Sequence, residues 1–329
     1  MKAVFFDVNN FENNIISKFS DDNKYITIKV YLENVSYVNE SDLDADIVSI
    51  FINSRFDQAA ISKFNNLKLI LTRSTGFDHI DLKFCQSRGI KVCNVPDYGS
   101  NTVAEFTFLL ILSLFRKINL SSRNGVKFFR GSELTGKTIG IIGAGKIGFH
   151  VCRLAKGFDM KILYHNRTIN ENFESMGAVK VELSKLLKES DVVTLHVPLT
   201  NETFHMINQN NINLMKKTAF LVNTARGAIV DTDALVTALD SGLIAGAALD
   251  VIEGEEFSGK EVEIIRRKEN YDIIKNALET NILKGFENVI LTPHIAYNTD
   301  EALLRIINST LDNLSNEFKG NMLNNIVIQ

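Results

Sequence analysis

Short runs of β-branched and other apolar residues alternate with longer segments of helical periodicity along almost the whole chain. Such runs predict buried strands, and their alternation with helices predicts βαβ units with parallel sheets. The chain has 329 residues, enough for two domains. The sequence therefore predicts an α/β fold with two domains. The predicted strands are Ala3–Phe6, Ile47–Ile50, Leu69–Thr72, Val92–Val95, Thr138–Ile142, Lys161–Tyr164, Val192–Val197, Ala219–Asn223, Gly246–Asp250 and Val289–Thr292.

Charge and composition argue against several classes of function. The net charge is -3, without the basic excess of a nucleic-acid-binding surface. The longest apolar stretch, Phe106–Phe115, has about half the length of a membrane-spanning helix. The cysteines Cys85, Cys93 and Cys152 form no CxxC pair, so neither a zinc site nor a disulfide framework is expected. We expect a cytoplasmic enzyme that binds no metal, no nucleic acid and no membrane.

One predicted helix, Asn101–Lys117, is apolar on nearly every face. Such a helix must be buried all round. One domain alone is not expected to cover the part from Val103 to Phe115. We therefore place a domain boundary near the start of this helix and predict that it contributes to a homodimer interface.

A glycine pattern follows the fifth predicted strand, where Gly143, Gly145 and Gly148 form GxGxxG. Alone this pattern is weak, but between a buried strand and a helix it is typical of a dinucleotide-binding loop. Gly143 permits a tight turn, Gly145 lets backbone amides approach a pyrophosphate, and Gly148 lets the helix pack on the strand. A glycine-rich turn that binds nothing is the alternative. The predicted cofactor contacts here are Gly143, Gly145, Lys146, Ile147 and Gly148.

The end of the next predicted strand bears on the choice of cofactor. An NAD enzyme usually presents an Asp or Glu there, whereas this chain has His165, Asn166, Arg167 and Thr168. Nothing in this segment repels a 2'-phosphate, and Arg167 with Thr168 can hold one through charge-assisted hydrogen bonds. The sequence therefore favours NADPH over NADH. In the alternative, Arg167 is a solvated charge and Asn166 holds the ribose.

Polar side chains follow three later predicted strands. Arg226 follows the first, Asp250 ends the second with Glu253 and Glu255 beyond it, and His294 follows the third. An Arg fork can hold a carboxylate or polarise a carbonyl, and a His can donate a proton. Next to a dinucleotide loop, this set predicts hydride transfer coupled to proton donation.

The ordered motifs resemble the D-isomer-specific 2-hydroxyacid dehydrogenases, the family of D-lactate, D-glycerate and phosphoglycerate dehydrogenases. The likeness covers nearly the whole chain. The family implies two Rossmann-like or flavodoxin-like domains, with a discontinuous substrate domain at 1–99 plus 299–329 and a dinucleotide domain at 100–298. The motifs are Arg73–Asp81, Asn94–Pro96, Val103–Glu105, Gly143–Gly148, His196–Pro198, Asn223–Gly227, Asp250–Glu255 and Thr292–His294.

The resemblance implies an Arg–Glu–His catalytic set, which falls on Arg226, Glu255 and His294. Glu255 is chosen over Glu253 because it lies 29 residues after Arg226 (255 − 226), the family's usual offset. Arg226 then binds the substrate carboxylate and 2-oxo oxygen, and His294 protonates that oxygen as hydride reaches C2. Glu255 orients the imidazole and favours its charged form. No metal is required, because Arg226 supplies the positive charge.

The family implies further contacts. Backbone amides near Thr75 and Gly76 complete a carboxylate cradle, and Asp250 orients the nicotinamide amide. His205 is expected to be solvated. The other implied cofactor contacts are Thr102, His196, Val197, Pro198, Thr203, Thr224, Ala225 and Ala296.

A small or apolar 2-oxo acid is the expected substrate. The segment from Glu255 to His294 is long, 39 residues (294 − 255), as in the family's D-lactate branch. Tyr98 and Tyr297 fall where that branch has aromatic pocket residues, and Phe51 can add an apolar wall. Pyruvate fits best, with glyoxylate or hydroxypyruvate as the nearest alternatives.

Alternatives of another kind also exist within the family. Some members bind the dinucleotide as a signal and act as transcriptional corepressors, but this chain has the full Arg–Glu–His set. The formate-type dehydrogenases lack the Glu partner of the His, which argues against that branch.

Overall fold

The computed structural model describes residues 1–123, 129–255, 271–321 and 324–326. In these ranges strands and helices alternate along the chain, and the predicted α/β fold class is confirmed. The strands are β1 Lys2–Phe5, β2 Thr27–Val30, β3 Ile47–Ile50, β4 Leu69–Thr72, β5 Lys91–Cys93, β6 Thr138–Ile142, β7 Lys161–His165, β8 Val179–Lys180, β9 Val192–Leu195, β10 Phe220–Asn223, β11 Gly246–Leu249 and β12 Val289–Leu291. The α-helices are α1 Asn10–Asp22, α2 Gln58–Ser62, α3 Leu82–Ser87, α4 Ser100–Phe115, α5 Ile118–Arg123, α6 Lys146–Gly157, α7 Glu171–Glu174, α8 Leu183–Glu189, α9 Thr232–Asp240, α10 Tyr271–Gly285 and α11 Asp300–Phe318.

The chain up to Gly99, with the described residues from Asn298 onward, forms unit 1. Its five-stranded sheet has the order β2-β1-β3-β4-β5, and every pair is parallel. Strands β3 and β4 are buried along their whole length, as continuous apolar runs require. The helix α11 shares a core with β1, in which Ile307 and Leu314 pack with Ala3.

Residues from Ser100 to Tyr297 form unit 2. Its described strands form a seven-stranded parallel sheet with the order β12-β11-β10-β9-β6-β7-β8. The order reverses between β6 and β9, and doubly wound sheets bind ligands outside the carboxyl ends of the strands at such a reversal. The ends of β10, β11 and β12 lie along the same edge of the sheet.

The apolar helix α4 corrects one expectation from the sequence. It packs on α6 and on the strands β10 and β11, while Leu109 keeps 54% of its surface exposed. The expectation that one domain cannot cover this helix is therefore wrong for most of its length. Its buried residues are Thr102, Val103, Ala104, Thr107, Phe108, Leu110, Ile111, Leu114 and Phe115.

The described residues contain no helix with both the length and the apolar character needed to cross a membrane. Nor do they contain a group of three or more His, Cys, Asp or Glu side chains that could hold a metal ion. The three cysteines are buried, and burial raises the pKa of Cys85 and Cys152 to about 11 and that of Cys93 to about 12. At neutral pH they are thiols with little nucleophilic character.

Asp42 provides a buried carboxylate in unit 1. Burial alone would raise its pKa, but hydrogen bonds from Lys29, Tyr31 and Lys2 lower it to about 2. The Asp42 side chain is 4% exposed, whereas the side chains of Lys2 and Lys29 are 26% and 43% exposed.

We predict that Asp42→Asn destabilises the protein by about 1–2 kcal/mol at pH 7. The folded pKa lies below the ordinary value of 3.8. The contribution is therefore complete above about pH 4 and is lost as the pH falls towards 2. Urea midpoints should differ more between variant and wild type at pH 7 than at pH 3. Asp44→Asn, which removes an exposed partner of Lys2, is the control and should change stability little. Equal losses at both pH values for Asp42→Asn would contradict the prediction.

Candidate active site

The loop after β6 has the geometry that a dinucleotide pyrophosphate needs. Gly143 has a φ of +103°, and a Cβ there would lie 2.5 Å from the carbonyl oxygen of His196. A Cβ on Gly148 would lie 2.1 Å from the carbonyl oxygen of Gly143, whereas one on Gly145 would meet no atom within 4 Å. The loop is thus tightly packed at two glycines and open at the third. The amides of Lys146 and Ile147 begin helix α6 at this open position.

Two asparagines tie the end of β7 to this glycine loop. The amide of Ala144 donates to Asn166 Oδ1 (3.3 Å), and Asn170 Nδ2 donates to the Ala144 carbonyl (2.9 Å). Asn166 Nδ2 donates to the carbonyl of Thr168 (3.0 Å). Arg167 and Thr168 are exposed. Sequence reasoning missed Asn170, because it belongs to no motif and acts through the fold of the loop.

One carboxylate lies within electrostatic range of Arg167. A hydrogen bond from the Thr200 hydroxyl lowers the pKa of Glu202, and the charge of Arg167 lowers it further. Residues 165–168 contain no acidic side chain, so the local sequence gives no sign of this carboxylate. Because Glu202 is exposed, solvent screens its influence on a bound anion.

His196 follows β9 directly, beside the glycine loop. Burial lowers the pKa of its imidazole to about 3, so the ring is neutral at physiological pH. Its Nε2 lies 2.9 Å from Thr194 Oγ1, and its buried Nδ1 has no hydrogen-bond partner in the described part of the chain. A buried ring nitrogen without a partner fits a site that a ligand completes.

The turn beyond His196 carries three further predicted cofactor contacts, Val197, Pro198 and Thr203. Thr203 Oγ1 donates to the Pro198 carbonyl (2.6 Å) and accepts from the Thr200 amide (2.8 Å). Its hydroxyl therefore shapes the turn.

The turn after β10 carries Arg226. Asn223 Nδ2 donates to the Arg226 carbonyl (2.8 Å), and Asn223 Oδ1 accepts from the Ala225 amide (3.0 Å). A Cβ on Gly227 would lie 2.1 Å from the carbonyl carbon of Ile252, so the turn packs directly on the segment after β11. Asn223 is thus a positioning residue, a role that its place in the motif Asn223–Gly227 does not indicate.

Two more predicted cofactor contacts lie in or beside α4. Thr102 is buried in the first turn of the helix. Thr224 Oγ1 lies 3.0 Å from Thr107 Oγ1, which connects α4 to the end of β10.

Asp250, 1% exposed after β11, builds the loop that carries His294. Its carboxylate accepts hydrogen bonds from the Thr292 hydroxyl (2.6 Å) and from the amides of Ile295 (2.9 Å) and Ala296 (2.8 Å). Its carbonyl accepts from the His294 amide (2.9 Å). His294 has a φ of +52°, a conformation that this loop maintains. Sequence reasoning missed this anchoring role.

His294 and Glu255 form a hydrogen-bonded pair. His294 Nδ1 lies 2.7 Å from Glu255 Oε1, and Glu255 Oε2 accepts from the Ile252 amide (3.3 Å). The ring of Tyr297 lies 6.2 Å from the His294 ring at an interplanar angle of 78°. Glu255 therefore engages Nδ1, and Nε2 is the nitrogen available for proton transfer.

The sequence predicts a solvated His205, but in the structure this side chain is only partly exposed and pairs with Glu253. Its Nε2 lies 3.1 and 3.2 Å from the two carboxylate oxygens of Glu253, and its side chain is 31% exposed. No local pattern indicates this pair, because its members are 48 residues apart.

The predicted substrate contacts in unit 1 follow three neighbouring strands, β3, β4 and β5. Phe51 follows β3, Thr75 and Gly76 follow β4, and Tyr98 follows β5. Asp7 Oδ2 accepts a hydrogen bond from the Phe51 amide (3.1 Å). These residues all lie towards the carboxyl edge of the unit 1 sheet, where doubly wound folds bind ligands.

Comparison with known protein families shows to which family this chain belongs. The sequence model of the D-isomer specific 2-hydroxyacid dehydrogenase, NAD binding domain, matches residues 108–296. The chain belongs to the D-isomer specific 2-hydroxyacid dehydrogenase family. The resemblance found in the sequence is thereby confirmed, as is the class of oxidoreductase.

Relatives of this dehydrogenase include enzymes with different substrates. A glyoxylate reductase of Thermofilum pendens is 40% identical over 85% of this chain and 80% of its own. The 2-hydroxyacid dehydrogenase homolog 2 of Schizosaccharomyces pombe is 33% identical over 100% of this chain and 99% of its own. The D-lactate dehydrogenase of Aquifex aeolicus, solved with NAD and lactic acid, is 37% identical with a TM-score of 0.89 over 99% of each chain.

Proposed function

We propose that this enzyme reduces a small 2-oxo acid to the D-2-hydroxy acid, with Arg226, Glu255 and His294 as catalytic residues. Pyruvate is the substrate that we favour. The observation that carries the proposal is the 2.7 Å hydrogen bond between His294 and Glu255. A general acid needs a fixed orientation and a partner for its positive charge, and Glu255 supplies both. The adjacency of β10, β11 and β12 supports the inclusion of Arg226.

The glycine loop and the first amides of α6 would hold the pyrophosphate of a nicotinamide dinucleotide. When bound, this cofactor supplies a hydride. Arg226 holds the substrate carboxylate and polarises the 2-oxo oxygen. His294 donates its Nε2 proton to that oxygen as C2 accepts the hydride, so the carbonyl becomes a CH–OH group and the imidazole becomes neutral. Asp250 keeps His294 in place through the loop that it anchors.

Pyruvate and glyoxylate are the two candidate substrates. The likeness to a D-lactate dehydrogenase over 99% of the chain supports pyruvate. The aromatic side chains Phe51, Tyr98 and Tyr297, which the family resemblance implies as substrate contacts, support it as well. The 40% identity to a glyoxylate reductase supports glyoxylate. The test is a panel of pyruvate, glyoxylate, hydroxypyruvate and 2-oxobutyrate, ranked by kcat/KM from the loss of nicotinamide absorbance. An enzyme that reduces none of them would contradict the proposed function.

We also propose that NADPH gives a higher kcat/KM than NADH, by roughly tenfold to a hundredfold. The exposed Arg167 and Thr168 offer donors to a 2'-phosphate. Arg167→Ala should reduce the preference, and Asn166→Asp combined with Arg167→Ala should reverse it. Glu202→Gln should increase it slightly, because it removes the carboxylate near Arg167. A wild type that prefers NADH, with Arg167→Ala affecting neither cofactor, would make Arg167 a surface charge.

The homodimer remains a proposal, supported now by the exposed Leu109 on α4. Light scattering at micromolar concentration should give twice the chain mass of 36.9 kDa. Leu109→Glu should shift the mass towards the monomer, because a charge would enter an apolar contact. Leu32→Glu, at an exposed residue of unit 1, serves as the matched control. A wild type that scatters as a monomer would exclude the dimer.

A further inference from the structure

We propose that His205 and Glu253 form a positioning pair that holds the turn carrying Arg226 against the segment carrying Glu255. This inference rests on the proposed function, because it gives the pair an effect on reduction through those two catalytic residues. The pair is proposed not to contact the reacting atoms but to fix the backbone of the turn that carries Arg226 and of the segment that carries Glu255.

The backbone beginning at His205 runs beside the residues that follow Arg226. The His205 amide donates to the Ala228 carbonyl (2.9 Å), and the Ile207 amide donates to the Ile229 carbonyl (3.1 Å). These two hydrogen bonds couple residues 205–207 to the turn at 226–229.

Glu253 belongs to the segment on which this turn packs. A Cβ on Gly227 would lie 2.3 Å from the Glu253 amide nitrogen and 2.1 Å from the Ile252 carbonyl carbon. The Ile252 amide donates to Glu255 Oε2 (3.3 Å). The segment 252–255 therefore contacts Arg226 through its neighbour Gly227 and carries the carboxylate that orients His294.

The two side chains join these segments. His205 Nε2 lies within 3.2 Å of both carboxylate oxygens of Glu253, and the Thr232 hydroxyl lies 3.4 Å from one of them. The Phe204 ring stacks on the imidazole with centroids 3.9 Å apart. His205 has a φ of +47°, so its surroundings hold it in a conformation that few non-glycine residues adopt.

The first test measures the backbone directly in the full-length protein. Amide hydrogen exchange at 226–231 and 252–255 should be about tenfold faster in His205→Ala and in Glu253→Ala than in wild type. His205→Gln, whose amide nitrogen can still donate to Glu253, should restore most of the protection. Glu174→Gln, at an exposed residue of α7, is the matched control and should exchange like wild type.

The second test measures reduction by the same variants. In His205→Ala, kcat/KM for the preferred 2-oxo acid should fall about tenfold, mostly through KM, while the dinucleotide Kd stays unchanged. The double variant should lose no more than either single variant, because both remove one contact. His205→Gln should recover most of the activity.

If amide hydrogen exchange at 226–231 and 252–255 were unchanged in both Ala variants, the proposed positioning role of the pair would be overturned. Faster exchange with an unaltered kcat/KM would overturn its link to the reaction. A wild type inactive on every 2-oxo acid would contradict the proposed function alone, and the exchange rates would still support or overturn the pair. If His205→Ala does not fold, exchange rates and kcat/KM are compared between Glu253→Ala and His205→Gln instead. Loss of protection and activity in the first variant but not in the second would support the positioning role.

Discussion

Replacing His294 by Gln is expected to lower kcat for 2-oxo acid reduction by about 10²–10⁴-fold, the range typical of general acid catalysis. The Nδ1 of His294 is 2.7 Å from Glu255 Oε1, which leaves Nε2 to protonate the substrate oxygen. A Gln amide can donate a hydrogen bond at this position but cannot release a proton. The reaction would then depend on water as the acid.

Dinucleotide binding is the internal control for His294→Gln. The glycine loop lies after β6, and His294 lies after β12, four strands away in the sheet order. The dinucleotide Kd, measured by fluorescence titration, should stay within about twofold of wild type. A kcat within threefold of wild type would remove His294 from the catalytic set.

The central strands were predictable because parallel strands buried on both faces produce continuous apolar runs. The predicted bounds of Leu69–Thr72 and Thr138–Ile142 agree with β4 and β6 at every residue. Strand β2 was missed because its residues are only partly buried or exposed at the sheet edge. Strand β8 was missed because two residues give no pattern.

The candidate site was predictable where its signals are local. The glycine loop joins a strand to a helix, and Arg226 and His294 each follow an apolar strand. The contacts that support them are long-range, so spacing could not indicate them. Asp250 reaches Ala296 across 46 residues, and His205 reaches Glu253 across 48. Only the fold brings such residues together.

The second large effect is expected for Arg226→Lys, which keeps the positive charge but removes the planar fork of donors. A guanidinium can bind a carboxylate through two parallel hydrogen bonds, whereas an ammonium acts as a point charge. Loss of one charge-assisted hydrogen bond corresponds to about 1.5–3 kcal/mol, so kcat/KM should fall roughly tenfold to a hundredfold. KM should rise and kcat should fall together, because Arg226 is proposed to contact both the carboxylate and the reacting oxygen.

The turn around Arg226 makes this substitution interpretable. Asn223 bonds to the backbone of Ala225 and Arg226, and Gly227 packs on Ile252, so most of the contacts that hold this backbone do not involve the guanidinium. The guanidinium itself contributes one, because Arg226 Nη1 donates to the Ala225 carbonyl (2.8 Å). Steady-state kinetics with the preferred 2-oxo acid is the measurement, and Arg88→Lys at the end of α3 is the matched control. If Arg226→Lys raised KM alone and left kcat at the wild-type value, Arg226 would bind the carboxylate without polarising the carbonyl. If neither constant changed, Arg226 would have no part in the reaction.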